Sequence, residues 1–162
     1  RDNQITSVDA LAKFTKSSHI YLSNNQITDV SPLQYCVALE MLKLNNNQVT
    51  DASALRTLPN LYILELVGNP VASATGLGLA GHNNSLMGNS VLRITYNEGI
   101  DFEALSKVEK LVVTVYDVPP RQLETLRGLG FNAYQDYSGD LDEIEENDDI
   151  AEEESAEEDT NG

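Results

Sequence analysis

The chain has 162 residues, with 26 acidic against 10 basic side chains and a formal net charge of −16. That length suits one domain, and the acidity repels phosphate backbones, which argues against a nucleic-acid partner. The single cysteine, Cys36, excludes an intrachain disulfide, and no apolar run approaches the roughly 18 residues of a membrane span.

The charge is uneven. Residues 136–162 hold 14 Asp or Glu and no Lys or Arg, which leaves residues 1–135 with 12 acids against 10 bases. We therefore expect a near-neutral folded body followed by an acidic tail, 136–162, that is disordered and serves solubility or a basic partner. One cysteine fits a reducing compartment and equally a secreted bacterial protein without disulfides.

Residues 1–16 read as the back half of a repeat, with Asn3, Ile5, Val8, Leu11 and Phe14. The chain opens in mid-repeat at Arg1, so further repeats are expected upstream, where a solenoid end would need a cap. Residues 17–38, 39–60 and 61–82 are three whole repeats. The clearest is Leu39-Glu40-Met41-Leu42-Lys43-Leu44-Asn45-Asn46-Asn47-Gln48-Val49, and Leu61 to Val71 reads the same way 22 residues later. Whole columns keep that step: Leu11, Leu33, Leu55 and Leu77; Phe14, Cys36, Leu58 and Ala80. This period and pattern are the leucine-rich-repeat signature. Cys36 shares a column with apolar residues and is read as a small buried hydrophobe.

The alternation Leu42/Leu44 and Leu64/Leu66 puts apolar residues on one face of each strand. Stacked copies then form a parallel sheet over a continuous core. Asn25, Asn47 and Asn69 stand at the bend after each strand, where an amide side chain can satisfy backbone groups that leave the ladder. The return segments have room for a turn of 3₁₀ helix.

Residues 72–90 are rich in Gly, Ser and Asn and read as an inserted surface loop that closes the first region, 1–90. Allowing six inserted residues, Leu92 and Ile94 take the strand slots and Asn97 the asparagine slot. Lys110–Tyr116 alternates as a strand. Arg121–Arg127, between Pro119-Pro120 and Gly128, carries a helix signature. Phe131–Tyr134 adds a short strand. Residues 91–135 are expected to be a divergent repeat and degenerate C-terminal cap. The fold class is thus α/β, a solenoid with a parallel β-sheet on its concave face.

The stretch Asn25-Gln26-Ile27-Thr28-Asp29-Val30-Ser31-Pro32-Leu33, followed by Asn47 to Leu55, resembles the 22-residue repeats of bacterial internalin-like surface proteins. It is also similar to eukaryotic phosphatase-regulating leucine-rich-repeat proteins. The internalin resemblance implies a curved solenoid whose concave strand face binds another protein, and it implies secretion or surface display.

Strand residues that point away from the core form the candidate surface: His19, Met41 and Ile63; Tyr21, Lys43 and Glu65; Ser23, Asn45 and Val67. From these, Tyr21, Met41, Lys43, Ile63, Glu65 and Val67, with Tyr62 nearby, are the candidate partner-binding residues, on a face expected to meet water. No catalytic, cofactor or metal site is expected. His19 and His82 lie 63 positions apart without a nucleophile or carboxylate at a catalytic spacing. The Asp140/Asp142 run lacks the turn glycine of a calcium loop. The glycines near Gly76 lack the phosphate-loop lysine. Asn83-Asn84-Ser85 is formally a glycosylation sequon, read as a chance match. The reading is a non-enzymatic module for a protein ligand, part of a larger bacterial surface or secreted protein. The alternatives are an intracellular leucine-rich-repeat scaffold or regulator with an acidic tail, and a noncatalytic region of a larger enzyme such as a protein kinase.

Overall fold

The computed structural model describes residues 4–72 and 90–136. The insertion's residues 73–89, with His82 and the Asn83 sequon, and the acidic tail from 137 onward lie outside the described residues. Six strands run in chain order through one parallel sheet: β1 (His19–Tyr21), β2 (Met41–Lys43), β3 (Ile63–Leu66), β4 (Ser90–Thr95), β5 (Leu111–Tyr116) and β6 (Asn132–Ala133). Each strand pairs with the next. A 3₁₀ helix at Asp9–Lys13 precedes β1, 3₁₀ helices at Ser31–Tyr35 and Ser53–Thr57 join β1 to β2 and β2 to β3, and two α-helices, α1 (Phe102–Ser106) and α2 (Pro120–Gly128), join β4 to β5 and β5 to β6.

Register follows the sequence columns. Ile20 faces Leu42 and Leu42 faces Leu64. Leu64 then faces Leu92, six residues beyond the 22-residue step. Leu42, Leu44, Leu64, Leu66, Leu92 and Ile94 are all fully buried. Each buried leucine contributes roughly 1.5–3 kcal/mol. Behind the strands the core closes on Leu33, Leu55 and Cys36, all but fully buried. Burial pushes the Cys36 thiol up, and its Sγ donates to Leu11 O at 3.3 Å.

Each repeat turns at two consecutive residues that solve different problems. Asn24, Asn46 and Gly68 have φ of 59°, 55° and 72°, a left-handed corner that asparagine and glycine tolerate best. Gly68 is further constrained, because a Cβ there would run into the Asn46 side chain. The next residues, Asn25, Asn47 and Asn69, turn inward. Asn47 Oδ1 accepts from Ile27 N–H at 3.0 Å, and its Nδ2 donates to the carbonyls of Leu22, Leu44 and Asn45. Asn69 repeats this on Val49 N–H and the carbonyls of Leu44, Leu66 and Val67. Asn97, expected in the same slot, has its Oδ1 on Gly99 N–H at 2.8 Å, a local turn.

The 3₁₀ returns start alike. Ser7 Oγ, Asp29 Oδ1 and Asp51 Oδ1 accept from the N–H two residues on, at Asp9, Ser31 and Ser53. The backbone and hydroxyl hydrogen bonds from Ser31 and Ser53 hold the Asp29 and Asp51 carboxyls below the usual range. A carboxyl whose folded pKa is depressed contributes stability above its unfolded value, near about 4, and that contribution is lost as pH falls through the folded value. Asp29→Asn with Asp51→Asn keeps the acceptor and removes the titration. The stability gap between wild type and this double variant should therefore be constant around neutrality and shrink on acidification below about pH 4. Urea midpoints measured across that window test it; a gap independent of pH would show that the turns gain nothing from the carboxylate charge.

Candidate protein-binding surface

The face of the sheet turned away from the core is organised as rows across the strands. One row is His19, Met41, Ile63, Val91 and Val112, in register through β1 to β5. Its last four members are apolar and all four are half-buried, while His19 is exposed. The adjacent row is Tyr21, Lys43, Glu65, Arg93 and Thr114. Rows on neighbouring strands stand only about 4.8 Å apart, so long side chains lie across one another.

That spacing decides which candidates meet water. Tyr21 is 63% exposed, and Met41, Tyr62 and Ile63 are half-buried. Lys43, Glu65 and Val67 were expected on a solvated face, but their exposures are 4%, 0% and 0%. The cause for the first two is mutual cover. Glu65 Oε1 accepts from Arg93 Nη1 at 2.6 Å and lies 3.8 Å from Lys43 Nζ; Glu65 Oε2 accepts from Asn45 Nδ2 at 2.8 Å. Lys43 Nζ in turn stands 5.8 Å from the centre of the Tyr21 ring, a cation–π contact. Val67 lies just past β3 and donates its N–H to Asn45 Oδ1 at 3.0 Å, inside the same network. Arg93, Val91 and Val112 complete the rows and were missed. The signal was available: the six-residue insertion carries Arg93 into the column of Lys43 and Glu65 and Val91 into that of Met41 and Ile63.

Among the described residues, no three His, Cys, Asp or Glu side chains stand together where they could hold a metal ion. No helix among them is long and apolar enough to cross a membrane. His19 shares a hydrogen bond with Ser18 Oγ through Nδ1, at 2.8 Å, and stacks near Tyr21. What the face offers is shape, a half-covered apolar row and an exposed tyrosine beside an ion-paired row.

A family model of leucine-rich repeats in two copies matches residues 18–56 and again 37–78. The structure is similar to that of an internalin, inlF, of Listeria monocytogenes, with a TM-score of 0.59 and 25% identity over 85% of this chain. Residues 18–78 thus carry leucine-rich repeats, and the fold is similar to that of an internalin. A second internalin structure of that organism, internalin C2, is similar with a TM-score of 0.54 and 29% identity over 82% of this chain. The chain spans 40% of the first structure's length and 66% of the second's. A comparison with curated protein sequences finds no match. The repeats supply the parallel sheet and its rows, and with the internalin similarity they support a protein-interaction module.

Proposed function

We propose that this module is non-enzymatic and binds a protein ligand on the concave sheet face, within a larger bacterial surface or secreted protein. One observation carries the reading: Met41, Ile63, Val91 and Val112 make an unbroken apolar row across four strands that the fold leaves half-covered. Apolar residues in contiguous rows, unlike scattered ones, mark interaction surfaces. Tyr21 at 63% exposure supplies the kind of aromatic anchor that dominates protein contacts. Tyr21, Met41 and Ile63, with Tyr62 beside them, are the direct contacts. Lys43, Glu65 and Val67 act beneath them, holding the face in shape.

The test is a comparison of surfaces. Tyr21→Ala with Ile63→Asp should abolish capture of whatever protein the wild-type chain retains. Gln34→Asp, on the opposite, 3₁₀-helix side, should leave it unchanged. Repeating the capture without residues 136–162 separates the sheet from the acidic tail. Capture that survives the concave variants with the fold intact would move the site elsewhere.

A further inference from the structure

A second concavity lies on the opposite side of the molecule from the rows, between the loop leading into α1 and the helix α2. Its floor is apolar: Ile100, Phe102, Leu126 and Leu129, closed at one side by Tyr96. Tyr96 and Phe102 stack with ring centres 5.7 Å apart and planes 6° from parallel, and Phe131 braces Phe102 edge-on at 5.8 Å. The aromatic wall is therefore held by packing from behind. The volume is about 350 Å³, within the range of small-ligand sites.

The polar groups around this floor are one-sided. Among the described residues Asp101 and Glu103 line it, and no Lys, Arg or His does. Asp101 is fixed in place, since its Oδ1 caps α1 by accepting from Ala104 N–H at 2.9 Å. Arg121, on the first turn of α2, is occupied at the surface by Glu98 at 3.0 Å. An anion would meet two carboxylates here. A neutral apolar body would leave them uncompensated at the rim. The complement is an apolar body with a cationic end, which places its ring or chain on Leu126 and Leu129 and its charge beside the two carboxylates.

We infer that this groove is a binding site for a small organic ammonium ion with an apolar body. It is independent of the concave face and of any protein ligand there. The recognition needs no reaction step and no metal.

The probe is 2-phenylethylamine hydrochloride, titrated into the full chain while side-chain resonances are followed by NMR. Saturable shifts are expected at Tyr96, Leu126 and Leu129. 3-Phenylpropanoate, with the same apolar body and the opposite charge, should give none. Glu103→Gln, a change at an exposed side chain, should weaken the amine about three- to fivefold. Thr125→Trp, at an exposed position of α2 lining the groove, should fill it and abolish the shifts with the thermal midpoint unchanged. Glu103→Gln keeps the test alive where the tryptophan variant fails to fold. Equal shifts with amine and carboxylate, or shifts on the sheet rows and not in the groove, would overturn the assignment, as would no saturable shift with the amine.

Discussion

Replacing Asn47 by alanine should cost about 3 kcal/mol of folding stability. The side chain is 6% exposed and makes four hydrogen bonds to backbone groups in two successive repeats of the solenoid. Alanine leaves Ile27 N–H and the carbonyls of Leu22 and Leu44 without this partner at a place water cannot easily reach. An orphaned buried donor costs roughly 1–3 kcal/mol; Ile27 N–H is left so, while the carbonyls of Leu22 and Leu44 keep Asn25 Nδ2 and Asn69 Nδ2, and the further bonds lost put the cost at the upper end of that range. The spatial reach matters as much as the count. Asn47 ties Leu22 of one repeat to Leu44 of the next, so its loss loosens an interface between repeats as well as a turn. In a solenoid the stability is close to a sum of repeat and nearest-neighbour terms, and the variant should therefore also broaden the transition. Asn97→Ala is the control, because Asn97 Oδ1 accepts only across a two-residue turn to Gly99. Urea denaturation of both variants measures the difference; equal midpoints would remove the asparagine ladder from the account of what holds the repeats.

The ladder illustrates what could be read before the structure. A column of asparagines at a fixed step after alternating leucines specifies a bend and a buried amide, since few side chains satisfy both kinds of backbone group. The strand register was legible for the same reason, and it survived the insertion because Leu92 and Ile94 resume the apolar alternation in phase with Leu64 and Leu66. The helix at 120–128 was legible from its proline start and glycine end. Asn97 holds the expected slot in register with Asn69 but not the same partners, because the column fixes position along the strand, while the amide's partner depends on the backbone beyond it. The exposure of the concave face was misread for a related reason. Alternation tells which way Lys43 and Glu65 leave the strand. It does not say that their neighbours across the sheet are long and of opposite charge, so that they fold down on each other. The groove between the α1 loop and α2 was illegible, because its walls come from segments whose repeat register has drifted from the 22-residue step.

Removing the Glu65 carboxylate is the second large effect expected, and its pattern across variants is more telling than its size. Glu65 is wholly buried and sits under Arg93 and Asn45, with Lys43 alongside. Glu65→Ala leaves Lys43, itself 4% exposed, and Arg93 without this counter-charge, and opens a void beneath the apolar row. Truncating one side of a buried ion pair costs about 3–5 kcal/mol. The Arg93 side chain is 26% exposed, so water recovers part of its share, and about 2–3 kcal/mol is expected here. Arg93→Ala should cost less, because Glu65 keeps Asn45 on Oε2 and Lys43 near Oε1. Replacing the pair together, Glu65→Leu with Arg93→Met, should recover the part of the loss owed to Arg93 and to the void, since well-packed apolar side chains of similar volume replace buried ion pairs at little cost, while Lys43 still lacks the carboxylate. Denaturation midpoints of these three variants against the wild type read all of this directly. The same three proteins also separate scaffold from recognition on the concave face. If the charge row only supports the surface above it, the stable double variant should retain the partner as well as the wild type does. If the row is itself read by the partner, the double variant should fold and yet fail to bind.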